Sequence, residues 1–455
     1  MNLRIALTII CGASLLIAAP KETPPAGSAP KPFKLPPTDD FVLPNGMRVT
    51  IAPYGVVPKV AIRAYVGAGA LYEAENQVWI SKLTSLLMKE GTTTHPAEQV
   101  AREAAEMGGQ LEIDSDFEFA RAGGVVLSEF GPRFVALLAD VLQHPALPSS
   151  DLPRLKADLG RDLAVQKTQA GSIAREGFYR TLFPDHPYGR MFPQEAALNA
   201  YTMDDVRAFY GNNFAASRTH LYVAGKLDPA LKNAITSAFG AWKKGQAETD
   251  LPAKPVRERS FQVIDRPGAA QSTVYIGLPV ADATSPDYVT LSVMDALLGG
   301  SFASRITSNI REQKGYTYSP RSQIGTRKHT AFWVESADVT TAVTGPSIKE
   351  ILYEIDRIRR EPPSAEELKG IQNYLAGLFV IQNMLSADSL IGQLHFVDSR
   401  GLDRSYLATY VQRVMAVTPK DIQRVSETYI VPSKMTFVVV GDKAKITGQL
   451  KPYEN

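Results

Sequence analysis

The chain has 455 residues, too many for one ordinary hydrophobic core, so two or more domains are expected. Hydrophobic residues at 44% and charged residues at 21% describe a globular protein and exclude a disordered or fibrous one. A formal net charge of +2 is close to balance, and gives no electrostatic case for nucleic acid or for an acidic partner.

Residues 1–19 place Arg4 before an apolar run from Ile5 to Ala19, the pattern of a secretory signal with small residues at Ala18 and Ala19 for cleavage. The run is shorter than the ~20 apolar residues of a membrane span, so a membrane association is expected only if the signal is retained as an anchor. It also lacks the Arg-rich amphipathic pattern of a mitochondrial leader. Export across the inner membrane, to the periplasm, is the expectation. Cys11 is the only cysteine, and Ile9 and Ile10 before it lack the small residue of a lipoprotein cleavage site. A chain starting after Ala19 has no cysteine, which excludes disulfides and cysteine-based zinc sites. Residues 20–39 hold seven prolines from Pro20 to Pro37 and read as an extended tether.

The first helix is expected in "VWISKLTSLLMKEGTTTHP" (Val78–Pro96), where Trp79, Ile80, Leu83, Leu86 and Leu87 form an apolar stripe. Lys82, Ser85 and Lys89 are expected together on a polar face, at a spacing that could hold a metal or a catalytic pair. Before it, "GAGALY" has Gly67 and Gly69 but no third glycine, so a dinucleotide site is not indicated. Further on, "LEIDSDFEF" puts Glu112, Asp114, Asp116 and Glu118 at period two, a row of like charges that reads as a solvated sheet edge. The six histidines, His95, His144, His186, His220, His329 and His395, are never within five residues of one another. Neither H-x-x-E-H nor H-E-x-x-H occurs, and structural roles are expected for all six.

The chain contains itself twice. Tyr201–Gly225 aligns without gaps on Val417–Gly441 at a shift of 216 residues. Thr202 with Asp205, and Thr418 with Asp421, mark equivalent helix starts, each helix leading to a strand that ends in glycine. Upstream, "LPSSDLPRLKADL" pairs with "PPSAEELKGIQNYL", where Ser364 and Glu367 predict a capping box. Strands Lys59–Val66 and Ser272–Val280 also correspond. The expected fold is α+β: two homologous domains from an internal duplication, each a mainly antiparallel sheet packed with helices. They span 40–243 and 261–455, joined by a polar linker at 244–260, with the cleft between them as the natural ligand site.

In the second copy, Gly299 and Gly300 follow a helix and read as its stop, since no P-loop lysine accompanies them. "IREQKGYTYSP" should end a helix near Arg311, turn at Gly315, and start a strand with Tyr316 and Tyr318 on one face. A guanidinium and a phenol brought together there could both donate hydrogen bonds to a carbonyl or oxyanion.

"LPNGMRV" (Leu43–Val49), "VGAGALYE" (Val66–Glu73), "EGTTT" (Glu90–Thr94), "FPDHPYGR" (Phe183–Arg190) and "IREQKGYTYS" (Ile310–Ser319) together resemble the insulinase-like (pitrilysin) zinc peptidases. That group includes the mitochondrial processing peptidase and two-subunit bacterial relatives. The resemblance covers nearly all of the chain after residue 40. It implies that the zinc motif H-x-x-E-H should fall on Lys82, Ser85 and Leu86, with the remaining glutamate near Asp162. None of the first three is a usable ligand or base as it stands, so no metal is expected on this chain. The resemblance further implies that Arg311 and Tyr318 serve catalysis, with Gly299, Gly300 and Tyr316 on the substrate-binding wall. In two-subunit members one chain brings the zinc motif and the other the Arg/Tyr pair. This chain resembles the second kind, with zinc expected in its partner and unfolded peptides as substrate. The strand at Gln110–Phe119, which takes up substrate in catalytic chains, is put in question here by its acids. The alternatives are a structural or peptide-binding homologue without hydrolytic role, and a self-sufficient hydrolase with a site of another kind.

Overall fold

The structure, a computed structural model, describes residues 34–454; the expected signal and most of the expected tether lie outside them. The first half runs β1 (Asp39–Val42), β2 (Arg48–Pro53) and β3 (Lys59–Val66) into α1 (Ile80–Met88) and α2 (Ala97–Glu106). A hairpin of β4 (Glu112–Ser115) and β5 (Ala120–Leu127) precedes α3 (Gly131–Gln143), α4 (Leu152–Thr168) and α5 (Ala170–Leu182). The half closes with α6 (Glu195–Ala200), α7 (Met203–Asn213), β6 (Thr219–Gly225) and α8 (Leu231–Phe239).

The second half restarts with β7 (Ser260–Asp265), β8 (Gln271–Val280), α9 (Tyr288–Asp295) and the hairpin β9 (Arg321–Arg327) and β10 (Thr330–Thr340). Helices α10 (Thr344–Arg360), α11 (Ala365–Leu378), α12 (Ala387–Ser399), α13 (Ser405–Ala416) and α14 (Pro419–Tyr429) follow. Strand β11 (Thr436–Gly441) and α15 (Lys443–Leu450) end it. The sheets have orders β1-β2-β6-β3-β5-β4 and β7-β11-β8-β10-β9, the same topology with β1 added. Among the described strands only β2 with β6 and β7 with β11 run parallel. The duplicated α+β architecture read from the sequence is therefore the observed one.

Local chemistry explains the shared helix starts. Thr202 and Thr418 each accept the N–H three residues on, while Asp205 and Asp421 accept the threonine N–H in return. The third expected box is only half formed. Ser364 caps the N–H of Glu367 at 3.1 Å, but the Glu367 carboxylate holds the Arg305 guanidinium at 2.7 and 2.9 Å instead. An ion pair is a stronger use of that carboxylate than one more amide bond.

The central strands are buried on both faces, which is why β6 and β11 read as continuous apolar runs rather than alternating ones. Leu221 and Val223 of β6 face their own half's core, whereas Tyr222 and Ala224 face the other half. What covers the second face is a reciprocal exchange of helices. The first half's α5 lies on β8 and β11, and its repeat equivalent α12 lies on β3 and β6. Phe178 of α5 sits over Gly277 of β8, where an added Cβ would come within 2.8 Å of the ring. Across the other contact, Arg63 donates to Asp388 at 2.8 Å and Tyr222 to Asp398 at 2.9 Å. His395 stacks on Tyr65 at 3.6 Å.

Candidate functional site

Helix α1 begins at Trp79, whose φ of +74° places it in the left-handed region. The turn is held by Glu73, whose carboxylate accepts the N–H groups of Trp79 and Ser81 at 3.0 Å and the Ser81 hydroxyl at 2.6 Å. Burial pushes the Glu73 carboxyl up to about 7 against those stabilising bonds. Ile80, Leu83 and Leu87 form the buried stripe.

The polar face differs from the expectation. Ser85 is 1% exposed, with its hydroxyl unpartnered, and Leu86 is half-buried beside Lys82. Helix α1 packs on β4, α4 and α7, so its buried arc is wider than one stripe and takes in Ser85. Lys82 instead meets Asp162 of α4, with Nζ 2.5 Å from the carboxylate and 4.4 Å above the Trp79 ring. These two positions, expected from the resemblance to belong to a zinc site, are brought together as an ion pair. The donor set does not fit zinc: an ammonium already paired with Asp162, a buried serine and a leucine offer no ligand sphere. Among the described residues no group of three or more His, Cys, Asp or Glu could hold a metal ion.

A cavity of about 490 Å³ opens above this pair. Glu73, Trp79, Lys82, Asp162, Arg175 and Arg190 line it from the first half and Arg327 from the second. Neither Arg311 nor Tyr318 reaches its lining.

The acidic row forms the expected solvated edge only in its first half: β4 is the last strand of its sheet, with Glu112 and Asp114 exposed on it. Strand β4 ends at Ser115, and each acid has its own partner. Glu112 pairs with Arg63 at 2.8 Å and Asp114 with Arg121 at 2.9 Å. Asp116 caps the turn through the N–H groups of Glu118 and Phe119. Glu118 is buried and ties the halves, accepting from Tyr188 and from the Lys328 N–H at 2.8 Å and from Arg400 at 2.6 Å. The pleat that would put all four on one face stops too early. The histidines take structural places: His95 and His144 on Asp140, His186 on the Leu251 carbonyl, His220 between Thr50 and Tyr222, His329 on Asp250. His395 is the ring stacked on Tyr65.

In the second half the chain turns at Gly315, with φ of +65°. Arg311 lies on the π-helical segment Thr307–Gln313, and its guanidinium is 4.8 Å from the centre of the Tyr318 ring. The Phe302 ring is also close, its centre 4.5 Å from the guanidinium, so the cation meets two aromatic rings. Tyr318 is 79% exposed and Phe302 68%, and the Tyr318 hydroxyl bonds to no other described residue. Among the described residues the only ion pair of Arg311 is with the neighbouring Glu312, at 3.1 Å. Phe302 carried no signal in the sequence; its role comes from the turn that folds it back over Arg311.

Tyr316 does not share the environment of Tyr318. It is half-buried against the second half's core, its N–H bonded to the Ile310 carbonyl at 2.8 Å. Residues 316–319 form one isolated bridge, Thr317 with Val339, and β9 starts only at Arg321, so no pleat aligns the two phenols. Gly299 and Gly300 end a π-helical turn over two buried carboxylates. An added Cβ would lie 2.5 Å from Glu335 Oε2 at Gly299 and 2.7 Å from Asp295 Oδ2 at Gly300. Asp295, held by Ser322 at 2.6 Å and Trp333 at 2.8 Å, is pushed up to about 6 by burial. Glu335 is driven far above the usual carboxylate range by burial and by Asp295, against a weak opposing contact from the Arg321 backbone.

The geometry so far defines a duplicated α+β protein with an ion pair joining two positions that the resemblance assigns to a zinc site. The family comparisons agree. Residues 50–193 match the insulinase family, peptidase family M16, and residues 200–375 match the M16 inactive domain. The chain belongs to the insulinase (M16) peptidase family. It is 24% identical over 350 residues to an uncharacterized zinc protease of Rickettsia felis, covering 76% of this chain and 84% of that protein. It is 22% identical over 390 residues to YmxG of Helicobacter pylori, described as a non-peptidase homolog, covering 84% and 88%. An M16 inactive domain from Pseudomonas fluorescens superposes with a TM-score of 0.82 at 22% identity, covering 89% of this chain and 98% of that one. A Helicobacter pylori protease superposes equally well at 17% identity, covering 89% and 100%.

Proposed function

We propose that this chain is the zinc-free subunit of a heteromeric metallopeptidase, pairing with a chain of the same family that carries H-x-x-E-H and the zinc. Arg311 and Tyr318 contribute to binding the peptide and to stabilising the transition state of hydrolysis. The observation that carries this reading is the Phe302–Arg311–Tyr318 cluster, whose Tyr318 hydroxyl is exposed and bonds to no other described residue, while among the described residues no group of three or more His, Cys, Asp or Glu could hold a metal ion. Two preorganised donors can act on an oxyanion without touching metal, and removing one such donor costs ~10²–10³ in rate. The donors are of use only against a catalytic centre supplied by another chain. The expected signal places the complex beyond the inner membrane, in the periplasm.

The first test is co-isolation through this chain from its own cells, followed by zinc determination on each co-isolated protein. A stoichiometric partner holding zinc supports the reading, and no co-isolated zinc protein removes it. The second reading, a structural or peptide-binding homologue with no part in hydrolysis, draws on the non-peptidase name of the Helicobacter relative. It requires that hydrolysis by any complex be indifferent to Tyr318.

A further inference from the structure

The near balance of charge over the whole chain hides a local excess of cations in the cavity above α1. Lys82, Arg175, Arg190 and Arg327 all line it. Two of them are committed. Lys82 holds Asp162, and Arg327 lies 4.7 Å over the Phe117 ring while donating to the Thr326 carbonyl at 3.0 Å. Arg175 and Arg190 make no side-chain hydrogen bond and no ion pair with any described residue.

The acids on the same wall are already used. Glu73 holds the start of α1 through three donors, and burial leaves it only partly ionised near neutral pH. One oxygen of Asp116 takes two backbone N–H groups of its own turn, and Asp162 is with Lys82. An apolar wall stands beside the free guanidiniums, where Trp79 and Phe192 meet edge to face at 6.1 Å.

We propose that this cavity binds an anionic stretch of an extended peptide. Its carboxylates are held by Arg175 and Arg190, and an apolar neighbour packs on Trp79 and Phe192. Guanidinium matches carboxylate with two parallel hydrogen bonds. Such a pocket gives the subunit a preference for acidic segments of its substrate. The inference rests on the reading that the chain handles peptides, but it needs neither the partner nor zinc.

The test uses the full chain alone and fluorescence anisotropy of a short capped peptide with adjacent glutamates beside a leucine. Its counterpart carries glutamines instead. The glutamate peptide should bind at least about tenfold more tightly at low salt, with the preference shrinking as salt rises. Arg175→Gln with Arg190→Gln should abolish the preference and leave the glutamine peptide's affinity unchanged. Arg175→Lys with Arg190→Lys, which keeps the charge, should retain part of it. Equal affinity for the two peptides, or a preference that survives the double glutamine variant, overturns the proposal. Because no hydrolysis is read, that result would leave the Arg311/Tyr318 reading standing. Conversely, charge-selective binding beside a complex indifferent to Tyr318 would leave a peptide-binding protein.

Discussion

Glu73 and Lys82 hold helix α1 in two different ways, one by a buried carboxyl at its start and one by an ion pair to Asp162. The carboxyl of Glu73 is raised from its ordinary 4.5 to about 7 by burial. Between those pH values the native state binds a proton that the unfolded chain has released. The stability this group contributes is therefore complete below about pH 4.5 and is lost as pH rises through about 7. Glu73→Gln should flatten that loss, of roughly 3 kcal/mol, in denaturant unfolding followed from about pH 5 to about pH 8. An unchanged slope would mean the proton sits elsewhere. The Lys82–Asp162 pair is different, since each side chain is 39% exposed. Lys82→Met should shift stability by under about 1 kcal/mol. It should also gain no zinc in titration, because Leu86 supplies no ligand atom. The burial of Ser85 was not legible from periodicity, which ranks residues along one stripe and cannot tell that α1 is packed on three sides.

At the scale of elements, the repeat was the most legible feature. Side chains that act within three residues, such as Thr202 with Asp205, leave their signature in any short window. The acidic row was legible for Glu112 and Asp114, exposed on the edge strand, but not for Glu118, whose partner Arg400 lies far along the chain. The glycine pair reads as a helix stop, and its close approach to Glu335 and Asp295 depends on side chains from other elements. Gly299→Ala should push a methyl into the buried Glu335 carboxylate and cost about 1–3 kcal/mol, measured by thermal or denaturant unfolding. A neutral effect would show that the turn yields. The same logic places Phe302 beside Arg311, a contact made by a turn and invisible in spacing.

At the scale of the molecule, two halves that look separable in sequence are joined by exchanged helices. Helices α5 and α12 each cover the other half's sheet, and the cavity above α1 keeps an opening between the halves, lined by Arg327 from the second. A second half expressed alone, from residue 261, would lack α5 and expose Phe332, Val334, Val438 and Val440. It should fail to fold cooperatively, with loose tertiary structure by near-ultraviolet circular dichroism and dye binding, whereas the full chain unfolds in one transition. A stable isolated half would contradict the interlocked core.

On the proposed reading, this chain offers donors to another chain's reaction. The measurement that tests this most directly is peptide hydrolysis by the complex isolated through this chain, native against Tyr318→Phe. Tyr318 is exposed and bonds to no other described residue, so losing its hydroxyl should leave folding and assembly intact. The expected result is a zinc-dependent activity that falls by about tenfold or more, chiefly in kcat. Undiminished zinc-dependent hydrolysis would contradict the assignment and leave this chain a wall of the chamber.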